Sequence, residues 1–315
     1  MPPSREMNNN NDIEKPFMKW VGGKSQIIED VIKRMPTTMN NYHEPFLGGG
    51  SVLLAVLSKR ATANIKITGN IHASDLNSGL LGVYRNIQTD PISLISETKK
   101  LIDEYASCNK ENPQVIRTAS TLEDALTSPE SYYFWVRSRF NTLSKEGRMS
   151  ILGSAMFIFM NKTCFRGLYR EGPHGFNVPY GNYKNPSILD EQQIIRISSL
   201  IKDVIFTECS YTDAFTQVMD GDFIYLDPPY APETSTSFVS YTSDGFGLDN
   251  HQSLFELCGD LNKKNAMMLM SNADVSLVKD AFPVPLYTMT VINCRRAINS
   301  KEPDSRTNEL LISNY

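Results

Sequence analysis

The sequence lacks the features by which membrane, secreted and metal-binding proteins are usually identified. Its 315 residues contain no uninterrupted apolar stretch near the roughly 18 to 20 residues of a membrane span, and residues 1–14 are too polar for a signal peptide. The five cysteines are scattered without CxxC spacing, and the four histidines are isolated from one another. We therefore expect no disulfide framework, no metal site, no membrane contact and a cytoplasmic location.

An excess of basic charge is missing from the chain as a whole, but one segment has it. The formal net charge is −4, which argues mildly against a protein that only binds phosphates. Residues 131–189 nevertheless carry eight lysines and arginines against two glutamates, with aromatic residues between them. A solvated charged face is the ordinary explanation of such clustering, whereas the interleaved aromatic residues favour a nucleic-acid surface.

Helical and strand patterns alternate on both sides of a different middle region. Strands are predicted at 42–46, 65–75, 204–207, 223–226, 267–270, 286–292 and 309–313, and helices at 27–35, 51–59, 190–202, 249–262 and 274–281. This alternation predicts one open, mostly parallel α/β sheet.

The middle region, residues 77–189, predicts an inserted second domain. Helical patterns near 91–105, 130–145 and 151–162 lead there into a turn-rich stretch at 163–186. The main domain is then formed by residues 15–76 and 190–315. Residues 1–14, which include a run of asparagines, are predicted to be a disordered tail.

The tetrapeptide Asp227-Pro228-Pro229-Tyr230 directly follows a short apolar run typical of a doubly buried strand. In open α/β sheets, ligands bind beyond the carboxyl ends of the strands. Because each proline restricts the residue before it and brings no N–H of its own, Asp227 and the Pro228 carbonyl form two rigid acceptors. Two acceptors suit the two hydrogens of an exocyclic nucleobase amine, and Tyr230 offers an aromatic face for the base. A strand that simply ends in a proline turn is the alternative.

The segment EPFLGGGS at 44–51 is a strand pattern that breaks into glycines and then opens a helix. Glycines at such a turn let the backbone approach a nucleotide-like ligand closely. The spacing is not GxGxxG, because Leu53 stands at the place of the third glycine. Asp75, which ends the next strand pattern, is where an acid would meet a ribose diol, and a surface aspartate is the alternative.

The segment KWVGGKS at 19–25 resembles the end of a phosphate-binding loop only superficially. That motif requires glycine at position 18, where Met18 stands, so a nucleoside triphosphatase is disfavoured. Lys24, which opens a helix after two glycines, can instead approach the carboxylate of an amino-acid-like cofactor. A solvated lysine in the first turn of a helix is the alternative.

Together these segments resemble the Dam-type family of DNA adenine-N6 methyltransferases, in particular its GATC-specific group. The resemblance extends from Pro16 to Tyr315 and rests on the order KWVGGK, EPFLGGGS, Asp75, FRGLYREGPHGFNVPYG, ECSYTD, FIYLDPPY and RRAINSKEPDSRTNELLISNY. It implies a Rossmann-like S-adenosylmethionine-dependent methyltransferase fold with an inserted, mainly helical target-recognition domain that carries a β-hairpin. It also implies double-stranded DNA as the partner and direct methyl transfer without a metal.

The resemblance further implies roles for individual residues. The flipped target adenine would face the catalytic residues Asp227, Pro228, Pro229 and Tyr230. The cofactor would be bound by Trp20, Lys24, Phe46, Gly48, Gly50, Asp75, Ser210, Tyr211 and Asp227.

The turn-rich residues 165–179 are expected to read the DNA target. Glycines and a proline interrupt this stretch and an alternating pattern resumes at its end, which predicts a β-hairpin able to enter a groove. The family resemblance implies that Arg170 contacts guanine, that Leu168 and Pro179 contact the thymine methyl group, and that Phe165 and Asn177 supply a stacking wedge and a backbone contact. Arg166, also expected at the DNA, stands where the best-known relative has asparagine.

Two other functions remain open at this point. A two-acceptor site also suits other amide-like nitrogens in RNA or protein, although an aspartate at position 227 and the basic, aromatic middle segment weigh against them. A catalytically silent DNA-binding regulator is disfavoured because the acceptor and cofactor segments are intact.

Overall fold

The computed structural model describes residues 13–232, 245–295 and 306–315. Its strands are β1 (Thr38–Met39), β2 (Tyr42–Glu44), β3 (Lys66–Ile67), β4 (Ile71–Asp75), β5 (Glu171–Gly172), β6 (Gly175–Phe176), β7 (Val204–Glu208), β8 (Phe223–Leu226), β9 (Met267–Ala273), β10 (Thr288–Arg295) and β11 (Arg306–Ser313). Its helices are α1 (Ile28–Arg34), α2 (Ser51–Ala61), α3 (Ser78–Thr89), α4 (Pro91–Ala106), α5 (Leu122–Ala125), α6 (Pro129–Thr142), α7 (Lys145–Met149), α8 (Ile151–Thr163), α9 (Glu191–Leu200), α10 (Tyr211–Thr216), α11 (Leu248–Lys263) and α12 (Ser276–Ala281). Short 3-10 turns cover Lys24–Gln26 and Phe165–Gly167.

A seven-stranded sheet forms the centre of the protein, in the order β10-β11-β9-β8-β2-β4-β7. The strands from β9 to β7 in that order run parallel, and β11 pairs antiparallel with both β9 and β10. All four residues of β8 are buried. Phe223 and Tyr225 of β8 belong to one hydrophobic cluster and Ile224 and Leu226 to another, so both faces of the sheet are covered. The predicted open, mostly parallel α/β sheet is confirmed.

The helices between β4 and β7 join the sheet through α3. This helix contacts β4 and β7 on one side and α7 and α8 on the other. Gly82 makes the approach possible, because a Cβ atom there would lie 2.6 Å from the Cα atom of Met149. One hydrophobic cluster therefore runs from the sheet into α4, α6 and α8. The sequence patterns missed α3, and the inserted domain with its boundary at residue 77 stays a prediction.

The described chain begins in contact with the fold. Glu14 donates its backbone N–H to Ser58 Oγ at 3.0 Å, and its carboxylate pairs with Arg196 at 2.9 Å. The predicted disordered tail therefore does not extend to Glu14, which has partners on α2 and α9. Residues 1–12 of that tail lie outside the described residues, as do residues 296–305 of the closing motif.

Candidate active site

The loop after β8 carries Asp227, Pro228, Pro229 and Tyr230 at the carboxyl edge of the sheet, between β2 and β9. The next residue, Ala231, donates its backbone N–H to Oδ1 of Asn272 at 3.0 Å. Asn272 is fully buried near the end of β9. The loop is therefore anchored to a neighbouring strand and does not depend on its own turn geometry alone.

Lys24 contacts this loop directly. Its ammonium group donates to Asp227 Oδ1 at 2.8 Å and to the Gly22 carbonyl at 2.5 Å, and it lies 4.8 Å from the centre of the Tyr230 ring. The lysine side chain is only 3% exposed. Its backbone N–H donates to Ser51 Oγ at 3.0 Å, which ties the 3-10 turn to the start of α2. A buried ammonium group needs such partners, and here Asp227 is one of them.

The carboxyl groups at this edge have altered acidities. Burial raises the pKa of Asp227 to about 6; the Lys24 charge opposes that rise and the Glu309 charge adds to it. Burial also raises the pKa of Glu44, at the end of β2, to about 8, against the lowering effect of its hydrogen bond with Tyr42. At neutral pH the site therefore has an ionised Asp227 beside a largely protonated Glu44.

The glycine-rich loop packs beneath Trp20. Gly48 donates its N–H to Asp75 Oδ2 at 2.9 Å, and Asp75 Oδ1 accepts from the N–H of Asn77 at 2.9 Å. Gly48 and Gly50 have φ angles of +48° and +66°, and a Cβ atom on Gly48 would lie 3.0 Å from the Trp20 ring. Burial raises the pKa of Asp75, while these backbone donors oppose the rise. The structure thus brings Trp20, Gly48 and Asp75 together.

Phe46 and Tyr211 form an aromatic wall further along the same edge. Their rings stack with centres 5.6 Å apart and planes 24° from parallel, and Phe246 packs edge-on against Phe46. Ser210 lies beside them, but its hydroxyl accepts from the Asp213 N–H at 3.1 Å and caps α10. The sequence analysis missed α10, although a serine with an acid three residues later is a helix-start signal.

Most of the expected DNA-reading residues are exposed on one connected segment. Glu171 pairs antiparallel with Phe176, and Gly172 with Gly175, across a tight turn. The Arg170 side chain donates its Nε–H to Asn177 Oδ1 at 2.6 Å. The exposed members are Phe165, Arg166, Arg170, Asn177 and Pro179, whereas Leu168 is half-buried. Arg166 has a φ angle of +58°, a conformation that asparagine adopts more readily than arginine.

Tyr169 connects this segment to the sheet edge. Its ring stacks on Trp20 with centres 5.6 Å apart and planes 23° from parallel. The 3-10 turn just before Tyr169 also lies close to the Lys19 segment, because a Cβ atom on Gly167 would lie 2.5 Å from the Cβ atom of Lys19. The segment expected at the DNA and the segment expected at the cofactor are therefore in direct contact.

A family model for the D12 class of N6 adenine-specific DNA methyltransferases matches residues 20–297. The chain belongs to this family. The methyltransferase is 35% identical to the type II methyltransferase M.MjaIII of Methanocaldococcus jannaschii over 96% of this chain and 99% of that protein. It is 30% identical to a DNA adenine methylase of Serratia marcescens over 94% of this chain and 96% of that protein. The resemblance found in the sequence is confirmed, and the protein is an adenine-specific DNA methyltransferase.

A third relative, the type II methyltransferase M1.LlaDCHI of Lactococcus lactis, is 29% identical over 96% of this methyltransferase and 95% of its own length. Among solved structures, TrmN from Thermus thermophilus aligns with a TM-score of 0.35 and 11% identity. The chain spans 48% of that structure, and so weak a likeness carries no argument.

Three residues of the methyltransferase site were missed by the sequence analysis: Asn272, Glu309 and Tyr169. Asn272 follows a buried strand pattern, so its place at the carboxyl edge could have been inferred. Glu309 and Tyr169 gave no such signal, because their partners Tyr230 and Trp20 are distant in the sequence. In the ranges 13–232, 245–295 and 306–315, no cluster of three metal-binding side chains occurs and no helix is suited to cross a membrane.

Proposed function

We propose that this methyltransferase transfers a methyl group from S-adenosylmethionine to N6 of an adenine flipped out of double-stranded DNA, within the sequence GATC. The observation that carries the proposal is the contact between Lys24, Asp227 and Tyr230. It combines an ionised carboxylate, a buried cation and an aromatic ring at the carboxyl edge of the sheet.

The acceptors at this edge suit the chemistry of N6. An exocyclic amine is a weak nucleophile because its lone pair is delocalised into the ring. Asp227 and the Pro228 carbonyl can each accept one of its two hydrogens, which favours a lone pair that is localised on nitrogen. The methyl carbon would exchange its bond to the cofactor sulfur for a bond to N6, which would leave the cofactor as a neutral thioether. One N–H proton of the methylated amine would then pass to the Asp227 carboxylate or to water. This step needs Asp227 to be ionised, as its pKa of about 6 allows at neutral pH.

The target base must leave the duplex to reach these groups. Its N6 is otherwise occupied in base pairing, and extrusion costs a few kcal/mol. Tyr230 offers a ring on which the extruded adenine can stack, and such stacking recovers part of that cost. Phe165, whose side chain is 45% exposed, is proposed to act as the wedge that fills the vacated stack.

The residues along the sheet edge fit S-adenosylmethionine. The Asp75 carboxylate keeps acceptor capacity beyond its backbone hydrogen bonds, which suits a ribose diol. The stacked rings of Phe46 and Tyr211 give a flat apolar wall for an adenine, and Ser210 and Gly50 are proposed to complete this cofactor pocket. Trp20 packs over the glycine loop and closes the pocket toward the DNA segment. When bound, the cofactor supplies an activated methyl group.

Recognition of GATC is proposed for the hairpin in the inserted domain, residues 77–189. Asn177 holds the Arg170 guanidinium through Nε at 2.6 Å and through one terminal amino group, which reaches the Asn177 carbonyl at 3.4 Å. We propose that the guanidinium held in this way faces the O6 and N7 acceptors of guanine. Leu168 and Pro179 supply apolar contacts of the kind that distinguish thymine by its methyl group. The direct stacking of Tyr169 on Trp20 supports a recognition segment that is coupled to the proposed active site at the edge of the sheet.

A transfer assay with defined duplexes tests this function. Purified protein, S-adenosylmethionine labelled in its methyl group and a duplex with one GATC site should yield N6-methyladenine. Asp227→Ala should abolish transfer while the fold and DNA binding persist. Asp203→Ala, which removes an exposed carboxylate paired with Arg60, is the matched control and should transfer at the wild-type rate. Label on another atom, or substantial transfer by Asp227→Ala, contradicts the proposal.

A further inference from the structure

Tyr230 is held by a residue outside the catalytic loop. Its hydroxyl donates to Oε2 of Glu309 at 2.8 Å, across 79 positions of sequence. Glu309 lies in β11, where it is in register with Ala273 of β9 and with Ile292 of β10. The carboxylate is therefore presented by an interior strand of the sheet, which is a rigid support.

Three contacts together determine the position of the Tyr230 ring. Ala231 fixes the backbone after the ring through Asn272, and the Lys24 ammonium group lies over the ring 4.8 Å from its centre. These two contacts leave the outer end of the side chain without restraint. The hydrogen bond to Glu309 restrains that end of the ring. A phenol that donates to a carboxylate makes one of the stronger hydrogen bonds in proteins.

We propose that Glu309 is a positioning residue for methyl transfer, which orients the Tyr230 ring so that one face is ready to receive the target base. This inference rests on the proposed function, in which the flipped adenine stacks on Tyr230. Glu309 acts through Tyr230 and does not itself contact the base. A pre-oriented ring does not have to be ordered when the base arrives, so its stacking is available for base extrusion.

Glu309 has a second, electrostatic effect that separates it from a purely structural residue. Its charge raises the pKa of Asp227, whereas the Lys24 charge lowers it. Glu44, Tyr225 and Tyr230 also interact with Asp227. Glu309→Gln keeps a hydrogen-bond acceptor but removes the charge. The pKa of Asp227 should then fall, and the acid limb of the rate profile should move to lower pH.

The test combines single-turnover transfer rates with the fluorescence of 2-aminopurine placed at the target position. Glu309→Ala should slow transfer about tenfold, as expected from the loss of a charge-assisted hydrogen bond, and should change the fluorescence of the extruded base. Tyr230→Phe should have a similar effect, and Glu309→Ala should add little in the Tyr230→Phe background. Glu104→Ala removes the same type of contact, from the Tyr132 hydroxyl at 2.6 Å, and is the matched control with no effect on rate.

The outcomes distinguish this inference from the proposed function. Full rate in Glu309→Ala, or an equal loss with and without the Tyr230 hydroxyl, overturns the positioning role. An unmoved acid limb in Glu309→Gln overturns the electrostatic effect of Glu309 on Asp227. If Glu309→Ala does not fold, Glu309→Gln in the wild-type and Tyr230→Phe backgrounds tests the positioning role, and an equal loss of rate in both backgrounds overturns it. Full transfer by Tyr230→Ala, or no fluorescence change with the wild-type protein, instead removes the stacking role of Tyr230 on which the inference depends.

Discussion

Replacement of Lys24 by methionine tests how the site keeps Asp227 ionised. Methionine preserves the length and apolar character of the buried side chain but removes its charge. The Lys24 ammonium group is 2.8 Å from Asp227 Oδ1, and the aspartate side chain is 19% exposed. An opposite charge this close lowers the pKa of a carboxyl group by about 1 to 3, and each step of one is about 1.4 kcal/mol.

The direction of the change follows from which form is active. In the proposed mechanism transfer needs the Asp227 carboxylate, so activity should rise with pH through its pKa of about 6. Loss of Lys24 favours the protonated form and moves this limb to higher pH. If the pKa rises by about two, the rate at about pH 7 should fall to roughly a tenth of wild type and should recover near pH 9.

The assay is kcat against pH at saturating cofactor and DNA. Lys24→Arg should keep the acid limb near its wild-type position because it keeps the charge. Lys99→Met, which breaks an exposed ion pair with Glu191, should leave the profile unchanged. The reasoning is refuted if Lys24→Met has a wild-type acid limb and only weaker S-adenosylmethionine binding in calorimetry. That result would leave Lys24 with only the cofactor-binding role predicted from the sequence.

Three further predictions concern recognition and stability. Arg170→Ala should relax selection of one guanine by about 1 to 3 kcal/mol and weaken overall DNA affinity less; a site preference equal to that of the wild type would exclude Arg170 from base recognition. Ser210→Ala removes the cap of α10 and should lower the unfolding free energy by about 1 kcal/mol in urea titrations, and an unchanged midpoint would argue against the cap. Asp222→Ala removes a fully buried carboxylate that pairs with His43 and accepts from the backbone N–H groups of Asn41 and Met219. The free energy of unfolding should fall by more than about 2 kcal/mol, and a smaller loss would contradict the role of this network.

The sequence predicted the sheet and the position of the Asp227 to Tyr230 loop at its edge because both depend on local patterns. β8 is a short, wholly apolar run, and the prolines after Asp227 end it at the edge where ligands bind. The pattern missed α3, whose Gly79 and Gly82 weaken a helical signal but allow close packing on Phe157 and Met149.

The contacts of the site were less accessible to sequence reasoning. Lys24 was predicted to bind the cofactor, and its pairing with Asp227 was not predicted. That pairing depends on how the 3-10 turn that begins at Lys24 lies against the loop after β8. Glu309 reaches Tyr230 only because β11 inserts antiparallel between β9 and β10. Such pairings arise from strand order, which local periodicity does not determine.

The most direct test of the account is a map of N6-methyladenine across a plasmid after expression in a host without DNA methylation. The account predicts methylation of the adenine in GATC sites on both strands, and none with Asp227→Ala expressed at the same level. Methylation centred on a different sequence, on another base, or retained in Asp227→Ala would contradict it.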